Sequence, residues 1–271
     1  MSGTELPSED HVALVAGHFS EDAPLYERHW AASMARLGSR LLDELPVADA
    51  RVVLDIGAGV GALLPAIQAA APSALVAGVD AAEGMIRRAS PDFGRAVMDA
   101  GRIAIRDSSV DAAVMPFMLF FLPDPSRGLR EVHRILRPAG GLGVATWAGG
   151  ANDFRADEVW AGVLDEHGAP PGRSWGLDRM DTPEKLATLL EEAGFADVRT
   201  GDGEEPQPMT LEVFLEARTS LGRSKRRFEA LPPEVRSSVV TVARERLSEL
   251  EEEDFADPQV AVFAWGTKPR T

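Results

Sequence analysis

The 271-residue chain carries 28 Lys and Arg against 43 Asp and Glu, a formal net charge of −15, and 45% of its residues are hydrophobic. This composition is typical of a globular protein large enough to bury its own core, and the negative charge disfavours nucleic acid and anionic lipid as partners. Because the chain has no cysteine, disulfides, thiolate catalysis and cysteine-ligated metals are excluded, and we predict no metal site.

The sequence contains no apolar run of membrane-spanning length, and its N-terminus is acidic rather than signal-like. We therefore expect a cytoplasmic protein, a monomer or homodimer, without a membrane or nucleic-acid partner.

Residues 1–50 have apolar side chains at helical spacing and predict an N-terminal helical cap. From Arg51 onward, short apolar runs alternate with helical patterns. The predicted strands are 52–56, 75–79, 95–98, 111–115, 142–147, 196–199 and 260–265. The predicted helices are 63–71, 83–89, 125–136 and 183–192, followed by two helices within 210–252 that divide near 231–233. This alternation predicts an α/β fold with a Rossmann-like parallel sheet and helices on both faces.

A glycine-rich turn, Gly57-Ala58-Gly59-Val60-Gly61-Ala62, lies between the first predicted strand and the first predicted helix. Glycine lets a backbone approach a ligand closely and accepts positive φ. The turn fits the loose dinucleotide pattern, which alone does not separate a nicotinamide or flavin site from another nucleoside cofactor. A turn without a ligand is the structural alternative.

Three acids are predicted at or near strand ends on one edge of the sheet, namely Asp55, Asp80 and Asp99. A carboxylate at Asp80 could accept hydrogen bonds from ribose hydroxyls, or alternatively could cap the next helix. A pyrophosphate would gain nothing from Asp55, whereas an ammonium or sulfonium would. Since the turn also has no Lys or Arg, the three acids favour a cationic nucleoside over a dinucleotide.

The run from Val53 to Gly61 resembles motif I of the class I S-adenosylmethionine-dependent methyltransferases. The resemblance continues through Val79-Asp80, Met98-Asp99-Ala100, the run from Leu136 to Gly141 and the run from Pro183 to Phe195. It is closest to the small-molecule, ubiquinone-biosynthesis-like group. It implies a seven-stranded sheet whose last strand is antiparallel. It also implies a methyltransferase domain over 51–271, with insertions at about 148–180 and 205–255 that form a substrate lid.

The resemblance further implies S-adenosylmethionine as cofactor. The cofactor-binding residues that it implies are Tyr26, Asp55, Gly57, Ala58, Gly59, Gly61, Asp80, Ala81, Met85, Asp99, Ala100 and Phe117. Tyr26 matches an aromatic that closes over the cofactor, although a helix-packing tyrosine is an equal alternative.

The loop after the fourth strand departs from its relatives, because Pro116 to Phe121 is apolar where His or polar residues are common. The loop therefore lacks an obvious general base, and base-dependent O-methylation through it is in doubt. The catalytic residue is unknown, with His18, His29 and His167 as candidates and His133 expected to be solvated.

Aromatic residues after the fifth strand suit a planar or hydrophobic substrate. We predict Phe121, Trp147 and Trp175 in the substrate pocket, with lid packing as the alternative for the cluster that also includes Phe154 and Trp160. The basic run 223–227 is predicted to be a solvated helix face.

The sequence thus predicts methyl transfer to a small, hydrophobic or aromatic metabolite, mainly by proximity and orientation, with O-, C- or N-methylation open. The alternatives are an NAD-type oxidoreductase and a non-catalytic S-adenosylmethionine-binding protein.

Overall fold

The chain folds around one seven-stranded sheet in a computed structural model that describes residues 8–150, 152–172 and 175–270. The strands are β1 (Val52–Ile56), β2 (Leu75–Asp80), β3 (Gly94–Val97), β4 (Val110–Pro116), β5 (Leu136–Trp147), β6 (Ala196–Glu204) and β7 (Val260–Thr267). Their spatial order is β3-β2-β1-β4-β5-β7-β6. Only β7 is antiparallel to its neighbours. The predicted Rossmann-like sheet with an antiparallel last strand is confirmed.

Helices cover both faces of the sheet. In chain order they are α1 (Ser8–His29), α2 (Ala31–Ser39), α3 (Leu64–Ala70), α4 (Glu83–Ile86), α5 (Pro125–Ile135), α6 (Arg155–Glu166), α7 (Pro183–Glu192), α8 (Leu211–Ser220), α9 (Gly222–Glu229) and α10 (Pro233–Leu247). None of the helices in the described part of the chain combines the length and hydropathy that a membrane crossing needs.

The strand order reverses between β1 and β4. From β1 the chain proceeds to β2 and β3, and then returns to β4 on the other side of β1. Both central strands are apolar and almost fully buried, as Val53, Ile56 and Val114 illustrate. In open α/β sheets, ligands bind beyond the carboxyl ends of the strands at such a reversal. The fold therefore places a crevice directly after Ile56.

The two N-terminal helices have different positions. Helix α2 belongs to the main core through Leu37, which is fully buried. Helix α1 instead packs with α4, where the Gly84 amide donates to the Ser20 hydroxyl at 3.1 Å. A Cβ on Gly84 would lie 2.7 Å from the Ser20 carbonyl oxygen, so only glycine permits this approach. Helix α1 thus forms a roof near the carboxyl ends of the strands. The first seven residues of the predicted 1–50 cap lie outside the described residues.

A second, smaller core joins the two segments that were predicted to be insertions. It contains Trp160 from α6, Phe214 from α8, and Val239 and Leu247 from α10, all almost fully buried. The aromatic side chain of Trp160 therefore belongs to helix packing and not to a pocket. Residues 151, 173, 174 and 271 of the predicted domain lie outside the described part. The function of these helices as a lid stays a prediction.

Two predicted boundaries are wrong because of backbone contacts that the sequence pattern does not reveal. The segment 210–252 contains three helices, since Leu221 is extended and Gly222 has φ of +59°. Strand β5 begins at Leu136 instead of 142, although Ala139 has φ of +64°. The Ala139 amide donates to the Lys268 carbonyl at 2.8 Å, so tertiary pairing overrides the turn chemistry there.

Candidate functional site

The glycine turn after β1 folds back onto β2. The amides of Gly57 and Ala58 both donate to the Val79 carbonyl, at 2.8 and 3.1 Å. Gly57, Gly59 and Gly61 have φ of +75°, +55° and +76°, a region that strains side-chain-bearing residues. The turn is therefore built for glycine at all three positions.

The three glycines have different surroundings. A Cβ on Gly57 would lie 2.6 Å from the Met118 side chain, and one on Gly59 would lie 3.2 Å from Met85. A Cβ on Gly61 would lie 2.6 Å from the Ala89 Cβ. Gly57 and Gly59 line a cavity beyond β1, whereas Gly61 does not. Gly61 instead lies against Ala89, and its predicted contact with the cofactor stays a prediction.

The cavity lies between the glycine turn, the ends of β2 and β3, the loop after β4, and the roof helix α1. Its open space, including solvent at its mouth, is about 990 Å³. All predicted cofactor-binding residues except Gly61 line it. They are Tyr26, Asp55, Gly57, Ala58, Gly59, Asp80, Ala81, Met85, Asp99, Ala100 and Phe117. No Lys, Arg or His is among the residues that line this cavity.

The Asp80 carboxylate holds the turn in place. One of its oxygens accepts from the Gly59 amide at 2.8 Å, and the other accepts from the Ala82 amide at 2.7 Å. Burial raises the pKa of Asp80, and these two hydrogen bonds oppose that rise. Each oxygen keeps a second lone pair that can accept from a ligand. Asp80 does not cap a helix, since Ala82 occupies the cap position of α4.

The Asp55 side chain has no hydrogen-bond partner among the described residues. It is fully buried in β1, and both carboxylate oxygens are unpaired. Burial, with a smaller contribution from the Asp80 charge, raises the pKa of Asp55 to about 8. An unpartnered buried carboxyl costs free energy, and its place in the cavity wall would suit a positively charged ligand.

Asp99 follows β3 at the far side of the cavity. One of its carboxylate oxygens accepts from the Gly101 amide at 2.8 Å. The Met98 amide donates to the Asp80 carbonyl at 3.0 Å, which ties this loop to the end of β2. All three predicted acids thus line one cavity.

Phe117 has an unusual backbone for a bulky residue, with φ of +54°. Its amide donates to the Ala145 carbonyl at 2.9 Å, and its ring stacks on Trp147 with 4.4 Å between centroids. Such strain clusters at functional sites. Trp147 packs against Phe117 and is not among the residues that line this cavity, so its predicted place in the substrate pocket stays a prediction.

A second cavity of about 820 Å³, including open space at its mouth, lies beside the first. Val15, Phe19, Tyr26 and Phe121 line both cavities. Trp30 and Trp175 complete an aromatic wall, and the polar lining consists of His18, Asp22, Arg223 and Arg226. The predicted pocket residues Phe121 and Trp175 therefore share this cavity.

Tyr26 lines the first cavity and also packs against other rings, so the two interpretations that the sequence left open both stay open. Its ring lies 3.9 Å from the position that a Gly59 Cβ would occupy, and it packs edge-on against Phe19 and Trp30 at 6.3 and 6.1 Å. Burial, and then the negative charges of Asp80 and Asp55, raises the pKa of Tyr26. Its hydroxyl therefore stays protonated.

The histidines occupy very different places. His18 lines the second cavity, where burial and then the Arg226 charge lower its pKa. His29 lies 3.2 Å from the Glu216 carboxylate, and His167 donates to the Val163 carbonyl at 2.8 Å. Neither lines either of the two cavities, so His18 is the one of the three candidates that lies at them. The predicted solvation of His133 is also wrong.

His133 is half-buried and packs edge-on against Phe195 with ring centroids 5.2 Å apart. Burial lowers its pKa.

The residues of the roof helix α1 that line the first cavity were not predicted from the sequence. Val12, Val15, Ala16 and Phe19 of α1 line the first cavity at helical spacing ahead of Tyr26. That spacing is a signal that the apolar pattern contained. Met118 above Gly57 had no comparable signal, since only the folded loop brings the two together.

The sequence matches a family model described as a methyltransferase domain over residues 54–144. No curated protein sequence matches the chain. Three solved structures show the same fold. One is a protein from Anabaena variabilis described as a methyltransferase of an antibiotic biosynthesis pathway. It is 17% identical with a TM-score of 0.61, over 86% of this chain and 96% of that one.

The second is an S-adenosylmethionine-dependent methyltransferase from Thermotoga maritima, 20% identical with a TM-score of 0.53, over 93% of this chain and 99% of that one. The third is phosphoethanolamine N-methyltransferase 2 of Haemonchus contortus, solved with phosphomonomethylethanolamine and S-adenosylhomocysteine. It is 20% identical with a TM-score of 0.50, over 86% of this chain and 52% of that one.

Proposed function

We propose that the protein is a class I S-adenosylmethionine-dependent methyltransferase and that it transfers a methyl group to a small hydrophobic or aromatic acceptor. The match of residues 54–144 to a methyltransferase domain model and the strand order of the sheet support this proposal. The observation that carries the proposal is the buried, unpartnered Asp55 carboxyl in a cavity without a basic lining residue. The ubiquinone-biosynthesis-like subgroup and the methylated atom stay open.

The residues of the first cavity fit this cofactor. The free lone pairs of Asp80 can accept from the ribose hydroxyls, and Asp99 can accept from the adenine amino group. Asp55 supplies the negative charge that a cationic amino acid portion needs in a dry site. Met85 and Tyr26 close over Gly59, where an adenosine would lie against the backbone.

Bound S-adenosylmethionine would supply a methyl group on a positively charged sulfonium. The apolar side chains of Phe117, Met118 and Phe121 line the cavity and exclude water, which favours a reaction that consumes charge. Holding donor and acceptor in line can supply part of the ~7–11 kcal/mol available to well-oriented reactions. The chain therefore needs a base only where the acceptor must lose a proton.

His18 is the candidate base that the geometry retains. It lines the second cavity, and the direction of its pKa shift leaves the imidazole neutral near pH 7 and able to accept a proton. The loop from Pro116 to Phe121 offers no side chain for this role.

An NAD-type oxidoreductase would share Gly57, Gly59 and Asp80. Against it stand the antiparallel β7 and the buried Asp55, which would face an anionic dinucleotide without compensation. A non-catalytic S-adenosylmethionine-binding protein is the second alternative, favoured only by the absence of a base in the loop after β4.

Calorimetric titration with S-adenosylmethionine and S-adenosylhomocysteine tests the cofactor, and transfer of labelled methyl into a metabolite extract tests the reaction. We expect both ligands to bind and Asp80→Ala to weaken binding at least tenfold, since it removes charged acceptors. Asp80→Asn keeps one acceptor oxygen and is the second variant to measure where Asp80→Ala does not fold. Asp202→Ala, at an exposed position on β6, is the control. No binding of either ligand at millimolar concentration would contradict the proposal. Binding without transfer would favour the non-catalytic alternative.

A further inference from the structure

Resting on the proposed function, we propose that the second cavity binds the methyl acceptor, and that the acceptor is a planar aromatic molecule that carries one anionic group. Two features of the cavity carry this inference. They are its aromatic wall and the guanidinium groups at its edge.

The aromatic wall is a connected set of rings in edge-to-face contact. Phe121 lies 5.1 Å from Phe19 and 5.8 Å from Trp175, measured between ring centroids. Tyr26 lies 6.1 Å from Trp30 in the same arrangement. Such walls bury large apolar area and favour flat rings, which find faces and edges on several sides. An aromatic body is therefore the ligand shape that this wall favours.

The charged part of the cavity comes from α9, whose basic run was predicted to be a solvated helix face. That prediction is wrong, because most of its side chains have specific partners. Lys225 and Arg226 both pair with Asp22 of α1, which is only 5% exposed. Arg227 pairs with Asp165 and donates to the Pro170 carbonyl at 2.9 Å. These contacts hold α9 against the roof helix.

Arg223 differs from the rest of the run. It lines the second cavity beside Arg226, yet it forms no hydrogen bond or ion pair with any described residue. Its side chain lies against Gly172, where any Cβ would collide with it. A planar guanidinium without a carboxylate partner suits bidentate binding of a carboxylate or phosphate. This is an exposed, locally basic corner on a chain whose net charge is −15.

The two cavities are opposite in charge and share a wall. The first is lined by three acids and no basic side chain, whereas the second has two arginines against one aspartate that is already paired. A cationic donor is therefore directed to the first cavity, and an anionic acceptor is directed to the second. Four residues line both cavities, so ligands in the two lie next to each other.

The test uses three probes of one shape, added to protein saturated with S-adenosylhomocysteine: 2-naphthoate, 2-naphthyl phosphate and the neutral 2-naphthamide. We expect at least one anion to bind at least tenfold more tightly than the amide in calorimetry, as a charge-assisted hydrogen bond implies. The tighter anion identifies the group as carboxylate or phosphate. Arg223→Gln should remove most of this preference and leave naphthamide unchanged.

Arg155→Gln is the matched control, because Arg155 is an exposed arginine that pairs only within α6, with Glu158. Saturation with S-adenosylhomocysteine is measured first, so failure of the cofactor site is seen separately. If S-adenosylhomocysteine binds but the three naphthalenes bind equally, or none of them binds, the inference is overturned. It is also overturned if Arg223→Gln and Arg155→Gln reduce anion binding to the same extent.

Discussion

Asp55 and Asp80 line the same cavity at the ends of neighbouring strands, but only the Asp80 carboxylate has hydrogen-bond partners among the described residues. The two acids thus have different roles in the site. Asp80 organises the glycine turn and keeps free lone pairs for a ribose. Asp55 stays unpaired, buried and partly neutralised by its raised pKa, which is a costly state for the unliganded fold.

The first prediction concerns the stability of the unliganded protein. Because folding raises the pKa of Asp55 from 3.8 to about 8, its contribution to stability is complete below the unfolded pKa and is lost as pH rises through the folded pKa. Asp55→Asn removes this titration. We therefore expect the free energy of unfolding of Asp55→Asn to exceed that of the wild type by a margin that widens from about pH 5 to about pH 8.

Denaturant titration of both proteins at the two pH values measures this margin. Asp202→Asn, an exposed acid on β6, should show no widening. A constant difference between wild type and Asp55→Asn across that range would mean that Asp55 is ionised in the unliganded fold.

The second prediction concerns the glycine turn. Gly57→Ala places a Cβ 2.6 Å from the Met118 side chain at φ of +75°, so we expect both backbone strain and displacement of the loop after β4. Gly168→Ala has a similar φ of +78° but open space around its Cβ, and should lose only the ~1–2 kcal/mol of left-handed strain.

Calorimetry with S-adenosylhomocysteine and denaturant titration measure both effects. Gly57→Ala should lose more stability than Gly168→Ala and should also lose ligand affinity. Equal stability losses, with unchanged affinity in both variants, would mean that the Met118 side chain moves aside without a cost in stability. The close approach of Met118 to Gly57 would then not contribute to ligand binding.

The third prediction concerns the attachment of the roof helix α1. Asp22 holds Lys225 and Arg226 of α9, and removing its charge leaves two cations without a partner. Since both cations keep some solvent exposure, we expect Asp22→Asn to cost ~1–3 kcal/mol, less than a fully buried broken pair. Hydrogen exchange in α1 should accelerate.

Asp10→Asn, an exposed acid on the same helix, is the control and should leave exchange unchanged. Equal exchange in α1 for wild type and Asp22→Asn would show that apolar packing alone holds the roof. In that case the ion pairs of Asp22 do not contribute to the attachment of α1.

Strands β1 and β2 were predictable from the sequence because each is a short apolar run that ends at a glycine or an acid. Val52–Ile56 stops before Gly57, and Leu75–Asp80 ends at Asp80. The acidic and glycine-rich part of the first cavity was predictable for a related reason, since Gly57, Asp80 and Asp99 lie at or just after strand ends, whereas its α1 wall was not.

The second cavity was only partly predictable. Arg223 and Asp22 are far apart in the chain, and α1 and α9 bring them together only through tertiary packing.

Tertiary packing also decides where Trp147 and Gly61 lie relative to the two cavities. Trp147 ends β5, and Gly61 belongs to the turn after β1, but a position in the chain does not reveal which neighbour the folded backbone brings against it. Trp147 faces Phe117, and Gly61 faces Ala89.

The central claim is that Asp55 is kept buried and unpaired for a cationic cofactor, and proton release on binding tests it most directly. At pH 7 the Asp55 carboxyl is mostly protonated in the unliganded protein, and a cation beside it lowers its pKa, so binding of S-adenosylmethionine should release close to one proton. Titration in phosphate and in Tris, whose ionisation enthalpies differ widely, measures that proton. We expect different apparent binding enthalpies in the two buffers for the wild type and equal ones for Asp55→Asn. Equal enthalpies for the wild type would contradict the account.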